Sequence, residues 1–203
     1  MYLYGASGHA KVIIDSLKAM GISIAGLFDD NLEVKSLLDY PVYGPFDAER
    51  LGNDSLIVSV GVNDIRKKIV DMLPVDISYG NAIHPSAVVS DYAKVDKGTV
   101  VMQGAIIQAS AVVGKHCIIN TGASVDHDCH LGDFVHISPH ATLCGNVTVG
   151  EGSWITAGVT VIPGVKIGKW CVIGAGSVVT KDIPDYSLAA GNRCRVIKRF
   201  VNF

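Results

Sequence analysis

The 203-residue chain contains seven histidines, and their neighbours set what each could do. His127 is followed directly by Asp128, and His136 comes nine residues later. A neutral imidazole is well matched to general-base work near pH 7, where an amine cannot attack until it loses a proton. A second set lies near the N-terminus. Gly5-Ala6-Ser7-Gly8-His9 makes a glycine turn between a short strand-like segment, Tyr2-Leu3-Tyr4, and an amphipathic stretch running through Met20. Amides at a helix N-terminus favour an anionic or polar group. Carboxylates such as Asp29 and Asp30 can accept bonds from ribose or base groups. The turn lacks the GxGxxG spacing, and roughly 80 residues cannot hold a full dinucleotide fold, so a single nucleotide is the better reading.

The elements that carry these residues differ in the two halves. Every sixth residue from Ile83 to Val179 is Leu, Ile or Val, without a slip, and Val125 and Ile137 fall in this register. Four residues after each comes a mostly small residue, as at Ala105, Ala111, Cys117, Ala123, Cys129 and Cys171. A period of six fits neither a helix nor a plain strand. It fits a β-solenoid with short flat faces, in which no coil can bury its own interior and the coils must stack. With three hexads per coil, His127 falls outside the inward positions, and Gly145 lies one coil further on the same corner. A glycine there would leave room beside the imidazole. Asn120 and Ser138 stack in the same way. Residues 1–80 instead alternate strands (Tyr2–Tyr4, Ile24–Phe28, Leu56–Val60) with helices, the later one from Asp64 to Leu73 after Gly61-Val62-Asn63. That predicts a small parallel α/β domain, with ligands at the carboxyl ends of its strands. Residues 81–203 form the solenoid and a C-terminal tail.

Composition narrows the classes. Apolar residues are 49% and charged residues 18%, and 17 basic against 19 acidic residues offer no footprint for nucleic acid. No apolar run reaches a membrane span, no secretory signal is evident, and five cysteines without a CxxC pair fit a reducing compartment. A soluble cytoplasmic protein is expected.

Gly-Ala-Ser-Gly-His-x-Lys-Val ahead of hexapeptide repeats resembles the NeuD/PglD-like sugar acetyltransferases. Phe28-Asp29-Asp30, the stretch Gly61-x-Asn63-x-Ile65-Arg66-Lys67-Lys68, Asn120 through Cys129, Gly132 through Ser138 and Cys144-Gly145-Asn146-Val147 extend the likeness over nearly the whole chain. The resemblance implies a left-handed parallel β-helix after an α/β Rossmann-like domain. It also implies a homotrimer with sites between neighbouring prisms and direct attack on acetyl-CoA without an acyl-enzyme. It makes His127 the base and Asp128 the acid that orients it. It places His136 and the backbone of Gly145, Ala157 and Ala175 at acetyl-CoA. Ser7, Gly8, His9, Asp29, Asp30, Gly61 and Asn63 would hold the nucleotide sugar, with Asn120 either lining the site or bonding a corner. His116, His130 and His140 match no role. Gly191-Asn192-Arg193-Cys194-Arg195 departs from the family's usual proline-containing turn. Arg193, Arg195, Lys198 and Arg199 either attract the phosphates of CoA or form a solvated basic end.

The activity implied is N-acetylation of a UDP-linked 4-amino-4,6-dideoxy sugar of bacillosamine type. Alternatives are an O-acetyltransferase on a sialic-acid-like sugar and an N-acetyltransferase on a GDP-amino sugar. Two other classes are a zinc carbonic-anhydrase-like β-helix, with metal bound by histidines of two subunits, and a non-catalytic binding solenoid. No resident metal or cofactor is expected.

Overall fold

The computed structural model describes residues 1–200. The N-terminal part holds three parallel strands, β1 (Tyr2–Tyr4), β2 (Gly26–Phe28) and β5 (Leu56–Val58), in the order β2-β1-β5. Helices α1 (Gly8–Ala19) and α3 (Asn63–Met72) follow β1 and β5. The strands are shorter than the sequence suggests. The third ends at Val58, and beyond it the Val60 carbonyl accepts from the Arg66 guanidinium at 2.9 Å. Two small elements escaped the sequence reading: the hairpin β3 (Ser36–Leu37) and β4 (Tyr40–Pro41), and the one-turn α2 (Ala48–Leu51), capped by the Asp47 carboxylate.

From Ala82 onward the chain winds as a left-handed parallel β-helix. Two-residue strands pair with those 18 residues away, as Ile106 with Ser124 and Ser124 with Thr142. This gives three flat faces. The first, from Val88–Val89 to Val178–Val179, has six strands, and the second, from Lys94–Val95 to Lys166–Ile167, has five. The third begins at Ala82–Ile83 and ends with Ser187–Ala190 and its antiparallel partner Arg195–Arg199. The sixfold aliphatic row is the core: Ile119, Val125, Ile137, Leu143, Ile155, Val161 and Val179 are all fully buried. The small residues close the interior at the corners, where Ala105, Ala111, Ala123, Cys117, Cys129 and Cys171 have no exposed surface. Each of these thiols donates to a carbonyl, as Cys117 does to Gly132 O at 3.1 Å, and burial pushes the Cys117 pKa up to about 12. They are packing groups and not nucleophiles.

The two parts share a core. Ala10, Ile13, Ile14 and Leu17 of α1 cluster with Ala82, Val100, Met102 and Ile118 on the outside of the third face. Ile118 and Phe134, which stand outside the inward register, are covered by the chain's own N-terminal domain. That outward row is apolar and therefore must be covered.

Candidate functional site

Each corner of the prism turns through a residue with positive φ, which recurs every six positions. Sorting these residues by corner separates three roles. Between the first and second faces stand Ser110, Asp128, Asn146 and Gly164; between the second and third, Gly98, His116, Phe134, Gly152 and Trp170; between the third and first, Gly104, Gly122, His140, Gly158 and Gly176. The first corner is polar, the second carries rings, and the third is mostly glycine.

His127 sits on the polar corner. Asp128, at φ +59, folds its carboxylate back so that Oδ2 lies 2.8 Å from His127 Nδ1. Asp tolerates this left-handed conformation better than most side chains. Asp126 Oδ1 accepts the His127 amide at 2.7 Å, fixing the backbone from the other side. Both members of the pair are open to solvent, with side chains 61% and 58% exposed. The hydrogen bond to Asp128 and the charge of Asp126 raise the His127 pKa above its ordinary value. A carboxylate can only accept, so the proton of the neutral ring belongs on Nδ1, and Nε2 keeps the lone pair. Nε2 lies over Gly145. A Cβ on that residue would stand 2.6 Å from Nε2 and Cε1, so space and not backbone conformation demands the glycine.

The second group of residues converges at the carboxyl ends of the three parallel strands. Ser7 caps α1 in an extended conformation, and its hydroxyl makes no capping bond. Ser7 and Gly8 are exposed, and a side chain on Gly8 would meet open space. Gly5 must be glycine: its φ is +109 and a Cβ would lie 2.7 Å from Val60 Cγ2. Asp29 accepts the Ala6 amide at 2.6 Å and the Asn31 amide at 2.8 Å, so it shapes the turn as well as facing it. Asp30 accepts the Tyr4 hydroxyl at 2.7 Å and is otherwise exposed.

His9 and His136 meet where the two parts join, with ring centroids 6.5 Å apart. His136 stacks on Trp154 at 5.5 Å, and its Nε2 lies 3.1 Å from Asn120 Nδ2. Its Nδ1 and the Nε2 of His9 are buried without a hydrogen-bond partner among the described residues. Burial, with the charge of Arg66, lowers His136 to about 3 and His9 to about 4. Both rings are therefore neutral at physiological pH.

The expected site residues do not form one cluster within a single chain. His127 and Gly145 share the polar corner. Ala157 and Ala175 are exposed on the glycine corner, one coil apart, where the Gly176 amide donates to Ala157 O at 2.9 Å. His136 and Asn120 lie on the third face at the junction. Asn63 is turned away from the strand ends, and its amide is used on Gly152 O, Ser153 O and Arg66. Sequence reasoning missed Asp126 and the structural part played by Arg66. Asp126 was legible as the residue preceding His127, and the ring-bearing corner was legible in the 18-residue spacing of His116, Phe134, Gly152 and Trp170. Among the described residues, no three His, Cys, Asp or Glu side chains gather as a metal site, and no helix is long and apolar enough to cross a membrane.

Residues 1–73 match the PglD N-terminal domain family, and residues 146–181 match the bacterial transferase hexapeptide family (six repeats). PerB of Caulobacter crescentus, solved with CoA and GDP-perosamine, is 40% identical, with a TM-score of 0.92, over 97% of this chain and 96% of that one. The acetyltransferase domain of PglB from Neisseria gonorrhoeae, solved with acetyl coenzyme A, is 36% identical, with a TM-score of 0.90, over 97% and 98%. The UDP-N-acetylbacillosamine N-acetyltransferase of Bacillus subtilis is 42% identical over 107 residues, 49% of this chain. The chain spans 50% of that relative's length, and 21% of a mimivirus protein, L142, that is 33% identical.

Proposed function

The chain belongs to the PglD-like hexapeptide-repeat acetyltransferases, and from that premise we propose that it moves the acetyl group of acetyl-CoA to the amine of a GDP-linked amino sugar. The observation that carries the chemistry is the exposed His127–Asp128 pair, with Nδ1 held by the carboxylate and Nε2 directed at the space that Gly145 leaves open. The GDP reading displaces the UDP-linked acceptor expected from the sequence. The likeness to PerB covers 97% of this chain and 96% of that one, whereas that to the UDP-sugar enzyme covers about half of each.

The nucleotide sugar sits at Ser7, Gly8, His9, Asp29, Asp30 and Gly61, with its phosphates toward the N-terminus of α1. Its amine reaches Nε2, which takes a proton as nitrogen attacks the thioester carbonyl. Asp128 holds the ring and stabilises the imidazolium. The Gly145 amide, unobstructed by a side chain, polarises the carbonyl. Collapse expels the CoA thiolate, which recovers the proton from Nε2.

A homotrimer supplies what one chain lacks. His136 stands on the third face and His127 on the corner between the first and second faces, and a site between two copies would let one acetyl group touch both. Five free cysteines support a reducing, cytoplasmic setting.

The test is thiol release from acetyl-CoA with a panel of GDP- and UDP-linked amino sugars, alongside sedimentation. Turnover with a GDP-amino sugar by a trimer is expected. Turnover confined to UDP sugars would overturn the choice of base, and an active monomer would overturn the shared site.

A further inference from the structure

Arg66, on the first turn of α3, is 1% exposed, and no carboxylate among the described residues lies within ion-pair reach of it. Its fork is fully used. Nε donates to His116 O at 2.8 Å; Nη1 to Val60 O at 2.9 Å and Gly61 O at 3.2 Å; Nη2 to Phe134 O at 3.0 Å and Asn63 Oδ1 at 2.9 Å. Asn63 Nδ2 in turn reaches Gly152 O at 3.0 Å. His116, Phe134 and Gly152 occupy equivalent places on three successive coils. Two side chains of one helix turn therefore grip three rungs of the ring-bearing corner.

A buried guanidinium without a counter-ion is a poor means of gaining stability, since an apolar residue of similar volume commonly does as well or better. What it supplies is direction. The apolar contact of α1 with Ala82, Val100 and Ile118 is non-directional, and the backbone beneath repeats with every coil while the outward row runs Ala82, Val100, Ile118, His136. A slip by one coil toward the C-terminus would shift the N-terminal domain by about 4.8 Å, keep Val100 and Ile118 in the contacted row and bring His136 into it in place of Ala82, so apolar burial opposes it only in part. The corner breaks the periodicity. His116 and Phe134 stack at 5.2 Å, whereas at Gly152 the Trp170 ring takes the space a side chain would fill, and the carbonyl there is offered to Asn63. Arg66 also ties this corner to Val60 and Gly61, and Gly61 lies against His9, whose ring faces His136.

We propose that Arg66, with Asn63, is a positioning residue for acetyl transfer: it fixes the coil at which the sugar-binding turn docks, and so where the acceptor amine arrives. This rests on the proposed function. A misplacement of about 1 Å can cost a hundredfold in rate, so a loosened register should show in turnover before it shows in binding.

The experiment compares Arg66→Lys, Arg66→Gln and Asn63→Ala with wild type. Turnover per folded molecule, dissociation constants for CoA and GDP-amino sugar, the pH–rate profile and hydrogen exchange at residues 115–118 and 133–136 are measured. For Arg66→Lys, kcat should fall about tenfold or more, with both dissociation constants within about threefold of wild type. The pH limb should not move, and exchange should quicken at both turns. Arg66→Gln should fall further. Turnover per folded molecule within about twofold of wild type, with only Tm lowered, would reduce Arg66 to a staple and overturn the proposal, as would selective loss of sugar affinity. If the wild type acetylates no nucleotide sugar, the proposed function fails. Hydrogen exchange then decides alone, and unchanged protection in Arg66→Gln overturns the register role.

Discussion

The prism and the α/β domain hold their chemical groups in opposite ways. In the prism, backbone bonds from each coil to the next and the inward aliphatic row make the fold, and His127, Asp128 and Gly145 are added at a corner without touching the interior. In the α/β domain the groups proposed to hold the nucleotide sugar also build the turn. Asp29 closes the loops at Ala6 and Asn31, and Gly5 exists because Val60 leaves no room for a side chain. Chemistry and stability should therefore separate cleanly in the prism and stay entangled in the smaller domain.

The sharpest contrast is between neighbouring prism residues. Val125→Asp places an unpaired charge where nothing is exposed and should abolish folding, seen as loss of the circular-dichroism transition and of CoA binding. A folded, CoA-binding variant would break the claim that the inward row carries the prism. Next comes Gly145→Ala. Its methyl would stand 2.6 Å from the imidazole, so the ring must move, and kcat should fall about a hundredfold with Tm nearly unchanged.

The junction between the regions should respond to acid. His9, His116 and His136 are held neutral by burial, at about 4, 4 and 3, well below their unfolded values. Depressed histidines stabilise the native state fully above the unfolded pKa near 6.5. As pH falls from there toward 4, the unfolded or undocked form binds more protons, and each histidine removes about 1.4 kcal/mol per pH unit. Hydrogen exchange at α1 and α3 should quicken between pH 6 and 4 while the central coils stay protected. Simultaneous loss in both regions would show that they are not separable. The smallest effect concerns entanglement itself: Asp29→Asn should raise the nucleotide-sugar KM several-fold, leave the acetyl-CoA KM alone and lower Tm by a few degrees. A KM effect without any loss of Tm would contradict the double role of Asp29.

The same contrast explains what the sequence could show. A residue's place in the prism follows from counting, so the burial of Val125, the exposure of His127 and the position of Gly145 above it are all legible. Nothing comparable marks the junction. Gly61-Val62-Asn63 reads as a ligand-binding loop, yet Asn63 is drawn to the carbonyls of Gly152 and Ser153, and main-chain acceptors leave no trace in a sequence. Ile118 and Phe134 announce themselves as outward apolar residues, but not whether the chain's own helices or another copy will cover them.

The central claim is that His127 is the base and that the fold does not depend on it. The direct measurement is the pH–rate profile of wild type and His127→Ala on acetyl-CoA and a GDP-amino sugar, with Tm measured in parallel. Wild-type kcat/KM should rise with pH through an imidazole pKa displaced above 6.5 by Asp128 and Asp126. The variant should lose that limb and about a hundredfold or more in kcat at unchanged Tm. Near-normal turnover by His127→Ala at neutral pH, with the rising limb intact, would contradict the account and move the base elsewhere, with His136 the next residue to test.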